Sequence, residues 1–255
     1  MTELFQTIGT GLIQGTTEFL PVSSSGHLFL ARNFLGMNFG TEYVVLLHAG
    51  TLLAVIFFFW RDLKDIITGL FTGKMSAWKL FFALIAGSVP AAVLGILGQD
   101  FLEQHLTGNL VIGASLIVTG VLLFLSDRFK QGRYSIADIG LKLAFLIGIF
   151  QALAIVPGIS RSGLTLVGAL LLGVKREDAF KFSFLLSIPV ILGGALLEMD
   201  AITQVQNGLW GFAVAAASGF FALWLLQILT RSKKLKYFSF YCWAIGTFSI
   251  VMSFV

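Results

Sequence analysis

Long apolar stretches constrain this chain more than any other feature of its sequence. A helix needs about 20 predominantly apolar residues to cross the hydrocarbon of a bilayer. Six stretches approach that length: 43–60, 79–98, 109–125, 181–198, 209–230 and 237–255. Of the 255 residues, 57% are hydrophobic and only 12% are charged, a balance far more apolar than that of a soluble domain. We therefore predict an all-α polytopic membrane protein that forms one domain over residues 1–255.

Two further apolar regions, 4–36 and 140–173, are each interrupted by a cluster of Pro, Gly and Ser. The first cluster runs from Pro21 to Gly26 and the second from Pro157 to Gly163, and such residues break a helix. Only ten or so apolar residues follow each cluster. At about 1.5 Å per residue they cover half of the hydrocarbon. We predict that each region forms a re-entrant pair of helices.

The distribution of charge predicts the orientation of the spans. Lys and Arg are concentrated in 61–79, 126–142 and 231–236, whereas 99–108 and 198–208 contain acidic residues but no Lys or Arg. Cytoplasmic loops are enriched in Lys and Arg, so the first three segments are predicted inside and the last two outside. The two broken regions then enter the bilayer from opposite faces. The formal charge of +4 is accounted for by this orientation, and we predict no nucleic-acid partner.

The two broken regions also resemble each other. Aligning residues 11–26 with residues 148–163 brings identical residues together at five of sixteen positions. Since the two regions are predicted to have opposite orientations, the likeness indicates an inverted-topology repeat over about 1–127 and 138–255. Chance similarity between Gly-rich membrane segments remains the alternative. The identical pairs are Gly11/Gly148, Gln14/Gln151, Ser23/Ser160, Ser25/Ser162 and Gly26/Gly163.

The first cluster follows a predicted helix that contains an ionisable residue, Glu18. Gln14 and Glu18 are four residues apart and share one helix face, and a carboxylate inside a membrane segment is by default a functional candidate. Ser23 is a suitable N-cap for a helix that begins at Ser24. His27 falls on the same side of that helix's first turn, within reach to act as a base for a hydroxyl nucleophile. Alternatively, Glu18 reaches water at the interface and the serines only cap the turn.

The second cluster contains Arg161, the only Arg or Lys between positions 142 and 175. Flanked by Ser160 and Ser162 at the start of a helix, its guanidinium is suited to bind a phosphate. Simple ion pairing of Arg161 with Glu18 is the alternative. His48, in an apolar span, is predicted to be a packing histidine, with a place in the site left open.

With these motifs in view, the chain resembles the undecaprenyl-diphosphatase family, also called bacitracin-resistance proteins. The resemblance is carried by Gln14-x-x-x-Glu18, by the segment Phe19 to His27 and by the segment Pro157 to Thr165. It implies six spanning helices plus two re-entrant helix pairs, and release of the terminal phosphate from undecaprenyl diphosphate to give the monophosphate carrier lipid. It also implies a location in the bacterial cytoplasmic membrane, with the site open to the periplasmic or external side and membrane lipids in contact with the protein. A homodimer is possible within this resemblance.

The resemblance also assigns roles to residues. Ser24 matches the proposed nucleophile, His27 its acid/base partner, Arg161 the phosphate-binding arginine and Glu18 the second acidic position of a Glu/Gln-x-x-x-Glu motif. A divalent cation, Mg²⁺ or Ca²⁺, would be held by Glu18 and by the side-chain oxygen of Gln14. The further residues expected to bind substrate are Ser23, Ser25, Ser160, Ser162, Gly163 and Thr165.

Two other functions compete with hydrolysis by Ser24. A transporter or flippase of a polyprenyl phosphate would also use inverted re-entrant repeats, but transport alone does not require Ser24, His27 and Glu18 together. A lipid phosphatase with a histidine nucleophile is disfavoured, because no histidine follows His105. Direct attack by water, with His27 as base, remains an alternative to a covalent phosphoserine.

Overall fold

The structure is a computed structural model that describes residues 3–106, 108–197 and 208–254. The regular secondary structure of these residues is α-helical, apart from a single parallel bridge between Tyr134 and Val174 and a 3₁₀ turn at Ile136–Asp138. The helices are α1 Glu3–Phe19, α2 Ser24–Leu35, α3 Thr41–Phe58, α4 Trp60–Phe71, α5 Met75–His105, α6 Asn109–Ser126, α7 Leu141–Leu153, α8 Arg161–Leu171, α9 Arg176–Leu197, α10 Gly208–Arg231 and α11 Lys236–Val251.

Five of these helices are long and apolar enough to cross a bilayer, namely α3, α5, α6, α9 and α10. They coincide with five of the six predicted spans, which confirms a polytopic helical membrane protein. The sixth predicted span, 237–255, is helical over the 16 residues of α11, and this helix packs along α6. The predicted loop 99–108 is helical as far as His105, while residues 198–207 of the other predicted external loop lie outside the described part of the chain.

Helix α4 occupies much of the segment predicted as a cytoplasmic loop. Its charged residues Arg61, Asp62, Lys64 and Asp65 lie on a helix that buries Ile66. A charged segment can thus remain helical when its apolar side packs against the protein, and here α4 packs against α5.

Both broken regions are pairs of helices separated by a non-helical turn. The first consists of α1 and α2, and the second of α7 and α8. The serine at the start of each short helix caps it: Ser23 Oγ accepts a hydrogen bond from Gly26 N at 3.3 Å, and Ser160 Oγ accepts one from Gly163 N at 3.1 Å. The predicted breaks and the Ser23 cap are therefore confirmed, the Ser160 cap is an additional finding, and entry and exit on the same membrane face stay a prediction.

Helices from the two halves of the chain pack against each other reciprocally. The first helix of the first half, α1, packs on α10 of the second half, and the first helix of the second half, α7, packs on α5 of the first half. The pairs α3 with α9 and α6 with α11 also join the halves. Such reciprocal packing is compatible with an inverted repeat, and the repeat over about 1–127 and 138–255 stays a prediction.

Aromatic residues of the protein core pack against the end of α1, next to the first cluster. Phe19, the last residue of α1, is fully buried and meets Phe184 of α9 edge to face, with ring centroids 5.7 Å apart. Phe180 extends this contact, with its ring centroid 4.8 Å from that of Phe184. Such aromatic packing fixes the end of α1 and with it the neighbouring Glu18.

Candidate active site

The two Pro/Gly/Ser clusters touch each other in the folded chain. Gly158 N donates a hydrogen bond to Ser25 Oγ at 3.4 Å, and Ser162 Oγ donates one to Leu20 O at 3.5 Å. The Cα of Gly158 also lies against Gly26. Segments more than 130 residues apart along the chain thus form one site, as the sequence predicts.

Gly158 allows the second cluster to pack closely against α6. Its φ of +89° lies in the region that side chains disfavour, and a Cβ there would lie 2.8 Å from both Ile112 O and Ser115 Cβ on α6. Gly163 has a related role, because a Cβ there would lie 3.1 Å from Pro21 Cβ. A larger residue at position 158 would push the second cluster away from α6, and one at position 163 would push it away from Pro21 of the first cluster.

Glu18 is the centre of the site and is almost completely buried. Its Oε1 receives a hydrogen bond and a salt bridge from Arg161 Nη2 of the second cluster. Its Oε2 accepts hydrogen bonds from Ser24 Oγ at 2.6 Å and from Gln14 Nε2 at 3.1 Å. The carboxylate therefore connects the predicted nucleophile, the predicted phosphate-binding arginine and the predicted metal ligand.

His48 belongs to this group, although the sequence favoured a packing role for it. Its Nε2 lies 3.6 Å from Glu18 Oε2, while its Nδ1 bonds to the backbone oxygen of Val44 at 2.9 Å. A carbonyl only accepts, so Nδ1 carries the proton and Nε2 faces the carboxylate. The available sequence signal was that His48 is an ionisable residue within an apolar span, the criterion that had selected Glu18.

His27 faces away from the hydroxyl that it was predicted to activate. Its Nδ1 lies 2.8 Å from Ser23 O, and its Nε2 lies 2.8 Å from the hydroxyl of Tyr241 on α11. No hydrogen bond joins His27 to Ser24 within the described residues; Ser24 donates to Glu18 instead. Tyr241 was not singled out from the sequence, because nothing local connects it to a residue 214 positions away.

Several predicted substrate-binding residues are buried and bonded within the clusters. Ser23 and Ser160 are 3% and 1% exposed and cap their helices. Ser162 Oγ lies 3.1 Å from Ser160 Oγ, and Thr165 Oγ1 donates to Arg161 O at 2.9 Å. The N–H of Gly163 is used by the Ser160 cap. These groups build the turns, and direct contact of their side chains with a substrate would require these bonds to change.

The groups that remain available to a ligand are few and close to the two helix starts. Ser25 is exposed and Ser24 is half-buried. Arg161 is the first residue of α8, and its Nη1 is buried without a hydrogen-bond partner among the described residues. A guanidinium nitrogen and hydroxyls at a helix N-terminus form a suitable surface for a phosphate group.

The residues present also fit the divalent cation that the resemblance implies. Gln14 Oε1 is buried and has no hydrogen-bond partner within the described residues. This amide oxygen and the Glu18 carboxylate lie one turn apart on α1, and both are oxygen ligands of the kind that Mg²⁺ and Ca²⁺ take. No cluster of three His, Cys, Asp or Glu occurs among the described residues, so waters and substrate oxygens would complete the coordination.

Comparison with known sequences identifies the family. A sequence profile described as bacitracin resistance protein BacA matches residues 7–248, which include both clusters. The chain belongs to this family. A relative from Methanococcus vannielii named undecaprenyl-diphosphatase is 42% identical to this chain, and the alignment covers 94% of this chain and 96% of the relative. Another with the same name, from Thermosipho africanus, is 44% identical, and the alignment covers 91% of this chain and 93% of the relative. A third, from Halothermothrix orenii, is 41% identical and covers 98% of both chains.

Proposed function

We propose that this chain hydrolyses undecaprenyl diphosphate to undecaprenyl phosphate and inorganic phosphate, the activity for which its relatives are named. The observation that carries the proposal is the buried Glu18, which accepts a hydrogen bond from Ser24 and pairs with Arg161. A polarised hydroxyl beside a guanidinium is the arrangement that phosphoryl transfer to a serine needs.

Substrate binding uses the open side of the site. The terminal phosphate bonds to Arg161 Nη1 once the side chains that bury this nitrogen have moved, and the partial positive charge at the starts of α2 and α8 attracts its oxygens. The prenyl chain stays among the lipids, in contact with the apolar outer surface of the helices. The substrate therefore enters laterally from the bilayer.

The first chemical step transfers the terminal phosphoryl group to Ser24. The oxygen Oγ attacks phosphorus in line while its proton passes to Glu18 Oε2, 2.6 Å away. The bond from phosphorus to the bridging oxygen breaks, and undecaprenyl phosphate leaves. Arg161 stabilises the charge on the phosphoryl oxygens during this transfer. In this route Glu18 accepts the Ser24 proton, in place of His27, the base predicted from the sequence.

The second step hydrolyses the phosphoserine. Water attacks phosphorus and loses a proton toward His27, whose Nε2 is its acceptor nitrogen. The Ser24 oxygen leaves and recovers its proton from Glu18, and inorganic phosphate is released. A divalent cation held by Gln14 and Glu18 would lower the negative charge on the diphosphate.

Phosphate release from undecaprenyl diphosphate by the purified protein in detergent micelles tests this function, since micelles provide no transmembrane gradient. We expect turnover by the wild type and a loss of at least a thousandfold in Ser24→Ala. Arg161→Ala should lose far more activity than Thr165→Ala. An inactive wild type that moves a polyprenyl phosphate across liposome bilayers would support the transporter function instead. Near-normal turnover by Ser24→Ala would exclude the phosphoserine.

The orientation of the site is a further part of the proposal. The Lys- and Arg-rich segments 61–79, 126–142 and 231–236 support a cytoplasmic location for the ends of α3, α6 and α10. The start of α1 is then external, and we place the protein in the bacterial cytoplasmic membrane with its site open to the outside. Labelling of a cysteine introduced at exposed Leu4 by a membrane-impermeant reagent in intact cells tests this orientation.

A further inference from the structure

The contact between His27 and Tyr241 joins the first cluster to the last helix and is not used by the chemistry above. Besides the 2.8 Å hydrogen bond from Nε2 to the tyrosine hydroxyl, the two rings stack, with centroids 5.6 Å apart and planes 7° from parallel. The next residue, Cys242, lies against Pro21 O of the first cluster at 3.6 Å. Two consecutive residues of α11 therefore seat this helix on the first cluster.

The hydrogen bonds of His27 fix its tautomer. Ser23 O, 2.8 Å from Nδ1, is a carbonyl and can only accept, so Nδ1 carries a hydrogen. In the neutral imidazole Nε2 is then an acceptor, and Tyr241 donates its hydroxyl hydrogen to it. The basic nitrogen of His27 is therefore occupied by a hydroxyl from the other half of the chain.

Access to His27 is asymmetric. The Nδ1 side is closed against the backbone of Ser23, which is 3% exposed, whereas Tyr241 is 45% exposed. A proton that arrives at Nε2 must pass through the Tyr241 hydroxyl or displace it. A hydroxyl both donates and accepts, so it can pair with the imidazole before and after the ring takes up a proton.

We propose that Tyr241 is a further catalytic residue, the outer member of a proton relay that leads to His27. In the hydrolysis of the phosphoserine, water gives a proton to the Tyr241 oxygen while Tyr241 gives its own to His27 Nε2. The water oxygen bonds to phosphorus as the bond from phosphorus to Ser24 Oγ breaks. The relay rests on the proposed function, because it serves the second step of that reaction.

Tyr241→Phe is the decisive variant, since it keeps the stacked ring and removes only the hydroxyl. We expect kcat for phosphate release to fall about tenfold, the factor associated with one lost hydrogen bond, with KM within twofold of wild type. Tyr237→Phe is the matched control: Tyr237 is exposed one turn earlier on α11, beside Lys236, and this variant should behave as wild type.

A double-mutant cycle separates the relay from a packing role. In the His27→Ala background, assayed over longer incubations, Tyr241→Phe should cause no further loss, because its partner nitrogen is gone. Equal effects of Tyr241→Phe in both backgrounds would overturn the relay. So would unchanged or faster turnover in Tyr241→Phe alone, which would mean that Tyr241 packs on His27 or blocks it.

Nitrogen NMR of the imidazole rings gives a readout that does not depend on activity. The sequence has only three histidines, so His27→Gln identifies the signals of His27 in protein labelled with ¹⁵N-histidine. We expect a protonated Nδ1 and an Nε2 resonance that moves in Tyr241→Phe but not in Tyr237→Phe. An unmoved resonance would refute the contact. An inactive wild type would refute the proposed function together with the relay, whereas an active wild type with an unaffected Tyr241→Phe refutes the relay alone.

Discussion

Removal of the charge on Glu18 should destabilise the protein while it leaves the shape of the site nearly unchanged. Gln is nearly isosteric with Glu, but in Glu18→Gln the Arg161 guanidinium loses its counter-charge. The two side chains are only 7% and 18% exposed, so solvent cannot replace the carboxylate. Breaking a buried ion pair from one side costs about 3–5 kcal/mol. For a chain of this size that corresponds to a fall in Tm of roughly 6–20 °C.

The double variant Glu18→Gln/Arg161→Gln distinguishes this electrostatic cost from other damage. It removes both charges, so we expect it to recover most of the lost Tm while remaining inactive. The protein provides its own unfolding probe, because its single cysteine, Cys242, is fully buried and reacts with a thiol-specific fluorescent dye only on unfolding. A wild-type Tm in Glu18→Gln, or a double variant no more stable than the single one, would refute the assignment of this pair as a buried ion pair.

Three further predictions concern the surroundings of this pair. Gly158→Ala should lower stability by about 1–3 kcal/mol in the same dye assay, whereas Gly73→Ala, which also has a positive φ but nothing within 4 Å, should lower it less; equal losses would contradict the steric argument. Gln14→Glu places a second carboxylate beside Glu18 and should tighten Mn²⁺ binding measured by electron paramagnetic resonance, and unchanged binding would contradict the cation site. His48→Gln should reduce kcat/KM severalfold, because His48 Nε2 faces Glu18 Oε2 at 3.6 Å, and an unchanged value would remove His48 from the site.

Features with a local signal were predictable from the sequence. Apolar length determined the five longest spans, and the Pro/Gly/Ser clusters determined where α1 and α7 end, because these properties depend on neighbouring residues alone. The contact between the clusters was also predictable, since Arg161 and Glu18 are ionisable residues within apolar segments and each requires a partner. The helical form of α4 is not predicted by this reasoning, because charged residues are typical of loops as well as of exposed helix faces.

The pairing of individual side chains was harder to predict from the sequence. Ser24 and His27 do share one side of a helical turn, but each turns to a partner on another helix, Glu18 on α1 and Tyr241 on α11. Such choices depend on side-chain rotamers and on which helix faces meet, and neither is encoded by spacing along one segment. His48 shows the same limit, because its role depends on α3 packing against α1.

The ion pair at the centre of the site neutralises the charge of Arg161 but uses only one of its two terminal guanidinium nitrogens. Arg161 uses Nη2 for Glu18 and keeps Nη1 without a partner among the described residues. Nη1 is buried, so a phosphate that binds it must displace the side chains that cover it, but the ion pair through Nη2 can persist and the cost of separating two buried charges is avoided. The same pair joins α1 to α8 across the two halves of the chain. The interaction that holds the clusters together thus also sets the geometry of Ser24, and a change that separates the clusters should abolish phosphate binding and nucleophile alignment together.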